Sequence, residues 1–353
     1  MENKKFLLFI ALALLAASCN PFSQKLSAGV IKTVNGGVDW QFANSIASST
    51  TASLSSLDIS KLAFDPQNRQ TLFVGSYTGG MYESQDAAAS WKNILSKIDV
   101  YDFAVNPVNS QNIYAAGFYG GNGRVLKTMD GGASWNQIYN EESATDPVRS
   151  IAINPINTGQ LVIGMASGNL IKSSDGGNTW QLVRSFTDQI NRVLWQNNNI
   201  YVLFKTKGLF VSADLGVSFT EVSASLSKTY NLGSASYSVS PIDSFSQVYV
   251  DFTSPALIYL TTDKGLYKTV DGGNTWSNVN LPVQTSTGSA RAIAVAQSSS
   301  NTVMASVGST IYKSVDGGSN WQTQGVSTAG FINYILIDPQ LPQISYAGVY
   351  STQ

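Results

Sequence analysis

The stretch Leu170-Ile171-Lys172-Ser173-Ser174-Asp175-Gly176-Gly177-Asn178-Thr179-Trp180 decides how this 353-residue chain is read, because variants of it recur from end to end. Near-perfect copies run Leu126-Lys127-Thr128-Met129-Asp130-Gly131-Gly132-Ala133-Ser134-Trp135, Tyr267-Lys268-Thr269-Val270-Asp271-Gly272-Gly273-Asn274-Thr275-Trp276 and Tyr312-Lys313-Ser314-Val315-Asp316-Gly317-Gly318-Ser319-Asn320-Trp321. Decayed copies, Lys32 to Trp40 with Asn35 for Asp, Ser84 to Trp91 around Asp86, and Ser212 to Phe219 around Asp214, bring the total to seven. The residue types fit a tight hairpin. A strand enters, the Asp carboxylate accepts from turn N–H groups, and the Gly pair supplies positive φ. The Ser/Thr hydroxyl two places before the Asp adds a bond across the turn, and the Trp buries the hairpin against its own sheet. A motif present seven times is a structural part, since an enzyme needs one site.

A second segment alternates with the first. Val148-Arg149-Ser150-Ile151-Ala152-Ile153-Asn154-Pro155 followed by Leu161-Val162-Ile163-Gly164 reads as two strands joined by an Asn-Pro turn. Equivalents begin at Leu62, Phe103 and Ile335, with weaker versions around Val193, Val248 and Ile293. Two such strands plus two from the hairpin make a four-stranded antiparallel blade. Successive motif positions from Asn35 to Asp316 are 51, 44, 45, 39, 57 and 45 residues apart, a blade-like period. The chain starts with a hairpin lacking its first two strands and ends with two strands lacking a hairpin. The expectation is therefore an all-β fold, a single seven-bladed β-propeller over 29–353, closed by N- and C-terminal strands sharing one blade. The interval 222–247 reads as an inserted loop, and 139–147 concentrates three carboxylates in one connection.

Composition narrows the function. Charged residues are 12% of the chain, about half the roughly 25% usual in globular domains, and the net charge is −1, so no basic field favours nucleic acid. With no histidine, the commonest general base and metal ligand is absent, and no metal or other cofactor is expected. The one cysteine, Cys19, follows a basic Lys4-Lys5 pair and an apolar run from Phe6 to Ala17. Residues 1–18 read as a secretion signal, Leu15-Ala16-Ala17-Ser18-Cys19 looks like a bacterial lipobox with Cys19 acylated, and 19–28 form a tether. The expected location is the cell envelope, at the outer surface or in the periplasm, held to the membrane by lipid.

The repeated motif resembles the Asp-box, or BNR repeat (Ser-x-Asp-x-Gly-x-Thr-Trp), over nearly all of the mature chain. Asp86, Asp130, Asp175, Asp214, Asp271 and Asp316 match its structural carboxylate. Proteins of similar sequence include sialidases, xyloglucanases, sortilin-type receptors and photosystem II assembly factors, all propellers of differing function. The resemblance implies a ligand site on the face opposite the boxes. Loops leading to the innermost strands would present Lys61, Tyr101, Asp102, Arg149, Arg192 and Arg291 there; loops joining second and third strands would present Tyr77, Phe118, Tyr119, Lys205, Lys207 and Tyr350. Aromatics beside Arg suit an extracellular glycan, peptide or envelope protein, with Tyr101, Arg149, Arg192, Arg291, Tyr77 and Tyr119 as ligand contacts. A sialidase is disfavoured: no Phe/Tyr-Arg-Ile-Pro motif is present, and seven boxes exceed what six blades require. A xyloglucanase-like hydrolase or lyase is the alternative, with Asp102 and Asp146, or Asp99 and Glu142, as acid and base; the related enzymes build their cleft from two propellers. A further alternative is an assembly factor for a membrane protein complex. The expectation is a monomeric, non-catalytic binding or assembly module.

Overall fold

The computed structural model describes residues 28–353 apart from 48, 50–51, 228–230, 233–234, 237–241, 284–287, 329 and 352–353. The expected secretion signal, Cys19 and the tether up to residue 27 lie outside these, as do Tyr230 and Tyr237 of the insertion. Seven antiparallel four-stranded sheets form a propeller. Blade 1 comprises Ile59–Phe64, Leu72–Ser76, Gly80–Ser84 and Lys92–Leu95, from the axis outward. The innermost strands of blades 2 to 6 are Asp99–Val105, Val148–Ile153, Ile190–Gln196, Phe245–Val250 and Ala290–Ala296. Blade 7 is composite, as the sequence requires: Phe331–Ile337 and Ser345–Tyr350 pair with Gly29–Thr33 and Gln41–Phe42. Closure is fixed by the register Gly29↔Val349 to Thr33↔Ser345 and by Arg69 of blade 1, whose Nη1 donates to both carboxylate oxygens of Asp338 of blade 7 at 2.8 and 2.9 Å.

All seven boxes adopt one geometry, including the decayed ones. In each, the residue two places after the Asp donates its backbone N–H to the Ser/Thr hydroxyl, from Gly132 to Thr128 at 2.9 Å and from Ala88 to Ser84 at 2.8 Å. In five boxes the carboxylate then takes the N–H and the hydroxyl four residues on, as Asp175 does from Thr179 at 2.8 and 2.6 Å; Asp316 takes the Asn320 N–H and side-chain amide, and Asn35 takes the Asp39 N–H and donates its amide to the Asp39 carboxylate. The template is strong enough to hold Ala87 (φ 56°), Ala88 (φ 68°) and Leu215 (φ 59°) in the left-handed region that the perfect copies assign to glycine.

The tryptophans do not pack against their own sheet alone, which corrects the sequence reading. They wedge between blades: Trp135 of blade 2 lies on Met81 and Ile94 of blade 1, together with Phe103. A hairpin's two faces are narrow, and the large indole finds an apolar wall only across the interface. Its N–H crosses too, from Trp91 to Ala43, Trp135 to Ile94, Trp180 to Ile138 and Trp276 to Val222, carbonyl oxygens of the preceding blade at 2.7–2.9 Å. A second clasp runs the other way. The box lysine of one blade donates to a box carbonyl of the next: Lys32 to Ala87, Lys127 to Gly176, Lys172 to Leu215, Lys268 to Gly317 and Lys313 to Gly36, at 2.7–3.1 Å. Glu83 and Val211 stand where lysine would clasp blade 2 and blade 5. Those two joints hold the indole clasps of Trp135 and Trp276 instead.

The insertion is shorter than 222–247. Phe245 to Gln247 already belong to the innermost strand of blade 5, where Phe245, Val248 and Val250 are buried. A bulge at Ser246 breaks the alternation that would have marked them as strand. The three carboxylates of 139–147 do not cluster: Glu141 accepts from Tyr139 at 2.6 Å, Asp146 accepts from the Ser167 N–H at 2.8 Å, and Glu142 is exposed.

Candidate functional site

On the face opposite the boxes every innermost strand carries the same irregularity. Its pairing with the second strand slips by one residue near its start, between Ile59 and Lys61, Val100 and Asp102, Val148 and Ser150, Ile190 and Arg192, Phe245 and Gln247, Ala290 and Ile293, and Ile332 and Tyr334. A bulge twists the strand and re-aims the extra side chain. Here the extra residues are Ser60, Tyr101, Arg149, Asn191, Ser246, Arg291 and Asn333, and together with Tyr77, Arg192 and Gln247 they line one pit of about 170 Å³. Every lining residue carries a hydrogen-bonding side chain and none is a carboxylate.

Five of the six expected contacts therefore meet: Tyr77, Tyr101, Arg149, Arg192 and Arg291. Tyr101, Arg149, Arg192 and Arg291 sit on the innermost strands themselves and not on the loops before them, while Tyr77 is in the turn that follows Leu72–Ser76, as expected. Tyr119 does not join them; it is exposed at the end of Ile113–Tyr119 with the Arg124 guanidinium 5.1 Å from its ring. Ser60, Asn191, Ser246 and Asn333 escaped the sequence reading, because short polar residues at strand starts look like ordinary edge positions. Their signal was positional: each occupies the place that Tyr101 and Arg149 hold in blades 2 and 3.

Asp102 is not at the mouth, in correction of its assignment as a candidate acid or base. It is completely buried and binds Arg192, which lines the pit. Lys61 Nζ lies 2.7 Å and Arg192 3.3 Å from Oδ1, while Oδ2 accepts from the Ser150 hydroxyl and, at 3.1 Å, from the Ile151 N–H. Burial pushes this carboxyl up, but Lys61 and then Arg192 outweigh it and hold the group below the ordinary aspartate range. It is a fixed anion. Asp146, its expected catalytic partner, is likewise buried and absent from the pit lining. Asp99 lies outside the pit lining with its carboxyl pushed up by burial.

The upper walls are stacked. Tyr350, Tyr77 and Tyr101 follow one another at ring separations of 5.9 and 5.4 Å, and the Arg149 guanidinium lies 4.8 Å over Tyr101. Arg291 lies 4.5 Å over Phe331, and Arg192 5.7 Å over Tyr334. Beyond Arg192 the channel changes character. A cavity of about 540 Å³ opens toward the box face, walled by Ala63, Ala104, Ala152, Ala294 and larger apolar neighbours. Among the described residues no group of three or more potential metal ligands occurs.

No protein-family model and no curated protein matches the chain. Solved structures do. A GH74 xyloglucanase from Xanthomonas campestris superposes with TM-score 0.65 at 20% identity, over 83% of this chain and 51% of the enzyme. The GH74 enzyme of Niastella koreensis gives 0.64 at 18%, again over 83% and 51%, so the chain spans about half the length of these enzymes. YCF48 bound to a D1 peptide gives 0.61 at 14%, over 84% of this chain and 93% of YCF48. The extracellular domain of a putative one-component system, BT4673 of B. thetaiotaomicron, gives 0.60 at 14%. Likeness at these identities establishes the seven-bladed propeller and nothing about activity.

Proposed function

We propose that this chain is a non-catalytic recognition module that engages an extracellular glycan, peptide or envelope protein through the pit opposite the boxes. The observation that carries this reading is the sevenfold bulge: each blade spends one irregularity to aim a side chain at the same place. Bulges of this kind gather at binding and active sites. The lining provides three arginines and two tyrosines, side chains that dominate binding energetics, and no acid and base pair for hydrolysis. A lone propeller suffices for such a role, since YCF48, which this chain matches over most of its length, is seen with a peptide bound. The hydrolase alternative lacks comparable support, because Asp102 is held in a buried ion cluster and the pit lining has no carboxylate.

The module acts at the cell envelope, held by lipid on Cys19. Strand Gly29–Thr33 runs toward its box, so its first residue lies on the side of the pit, and a lipid-bearing segment before it would hold that side toward the membrane. Two measurements test the reading. Tyr101→Ala, Arg149→Ala and Arg291→Ala should each weaken ligand binding by roughly 30-fold or more, the effect of truncating an anchor worth about 2 kcal/mol, with little change in melting temperature. Binding that survives all three variants moves the site elsewhere. Cys19→Ser should release the protein from the membrane fraction, and unchanged retention ends the anchoring proposal.

A further inference from the structure

Arg149 and Arg291 stand out among the charges of the pit. Arg192 shares Asp102 with Lys61, but among the described residues no carboxylate comes within 4.0 Å of either other guanidinium. Each makes a ring contact with one face, on Tyr101 and on Phe331, which leaves the planar fork of N–H donors along its edge unspent. Such forks match oxyanions bidentately. The two arginines enter from blades 3 and 6, three apart in the ring, and line the same pit. With one buried anion beneath two paired cations, the pit holds an excess of positive charge, and no lining carboxylate offsets it.

The remaining polar groups point to the rest of the ligand. Ser60 spends its hydroxyl proton on the Val100 carbonyl at 2.6 Å, and Asn333 spends an amide hydrogen on Ile59 at 3.3 Å. Ser60 still offers acceptor oxygen and Asn333 its oxygen and a second amide hydrogen, a mix that sugar hydroxyls, donors and acceptors at once, satisfy. The lining has no aliphatic residue to receive an apolar peptide side chain. The ring surface that half-buried Tyr77 and Tyr101 leave uncovered beside Arg149 and Tyr350 suits the C–H groups of a pyranose ring. Arg192 lines the pit and Lys61 the cavity beyond it, the two joined through buried Asp102; a pit of about 170 Å³ holds about one sugar ring, so it suits a chain end.

We propose that the pit binds the terminal residue of an acidic glycan, its carboxylate or sulfate held by Arg149 and Arg291 and its ring against Tyr101. This rests on the recognition reading above and names the ligand class for it. The test is calorimetry on the full chain with trigalacturonate, its methyl ester, a terminally sulfated oligosaccharide, a neutral galactotriose, and one octapeptide as free acid and as amide. Trigalacturonate or the sulfated sugar should bind, and which of them does so more tightly identifies the source of the anion. Esterification or neutrality should cost at least 10-fold, as should Arg149→Gln and Arg291→Gln, with melting unchanged. Affinity should fall with added salt. Arg291→Lys, which keeps the charge and loses the fork, should fall between parent and Gln. Equal binding of the neutral sugar or the ester, tighter binding of the free-acid peptide, or no binding of any acidic sugar overturns the proposal. Neutral binding that Tyr101→Ala abolishes overturns the anion alone and leaves the pit as the site. Acidic-sugar binding indifferent to all of these variants overturns both.

Discussion

Replacing Asp102 by Asn separates two roles for the residue that the sequence alone leaves entangled. In the structure the carboxylate, itself out of water, receives Lys61, Arg192, the Ser150 hydroxyl and the N–H groups of Phe103 and Ile151, all within hydrogen-bonding or ion-pairing reach. An amide there presents N–H donors to some of these donors and leaves two cations without their anion. Removing one partner of a buried pair typically costs about 3–5 kcal/mol. An unfolding entropy of about 2.1 cal/mol/K per residue over roughly 300 residues gives about 0.6 kcal/mol/K, so the melting temperature should drop by about 5–8 °C. Parent and variant should be scanned by circular dichroism at one heating rate, with guanidinium titrations to compare midpoints at constant slope. A general acid or base would behave otherwise: its Asn variant would melt like the parent and lose turnover. A shift below about 1 °C in Asp102→Asn therefore refutes the buried-anion assignment.

Three further outcomes are expected. Ala87→Gly and Leu215→Gly relieve left-handed backbone at the decayed boxes, so each should raise stability by about 1 kcal/mol, read from denaturation midpoints. Trp180→Ala should cost about 3–5 kcal/mol and Trp180→Phe less, since the indole fills an interface with Tyr139 and Ile138 and donates to the Ile138 carbonyl; a fully stable Ala variant contradicts the wedge. The carboxyls of Asp130, Asp175 and Asp271 are pushed down to about 2, first by the hydroxyls of Ser134, Thr179 and Thr275, and that of Asp316 to about 2, first by the Asn320 N–H. Folded values below the unfolded one near 3.9 mean that the box contribution is complete above about pH 4 and is lost as pH falls through about 2, which carboxyl NMR titration checks.

The boxes made blade number, strand order and the shared closing blade legible, because a hairpin with Asp, two glycines and Trp is specified locally and simply repeats. Arg149, Arg192, Arg291, Tyr77 and Tyr101 were placed on the right face by counting strands. Tyr119 was not brought in, because the longer hairpin Ile113–Tyr119 and Asn122–Thr128 carries it past the pit. The bulges were hidden, since a register slip depends on the partner strand and leaves no mark in spacing; Ser60 and Asn333 look like any polar strand residue. The fate of Asp102 was hidden for the same kind of reason. Whether a carboxylate faces water or two cations is decided by Lys61 and Arg192, 41 residues before it and in a different blade after it.

The clasps between blades have a consequence for how much decay the ring tolerates. Of the seven joints, two hold both the lysine and the indole bond, at Lys32 with Trp91 and at Lys127 with Trp180; each other joint holds one. Phe219 has no N–H to give, Trp321 turns its own to Gly318 and Trp40 leaves its own unpartnered, yet Lys172, Lys268 and Lys313 fasten those three joints. Where the lysine is missing, the indole fastens instead. The two devices back each other up, so a repeat can lose either one without the circle springing open. That redundancy is why a motif can erode to Ser-Gln-Asp-Ala-Ala-Ala-Ser-Trp in one blade and still turn the same corner.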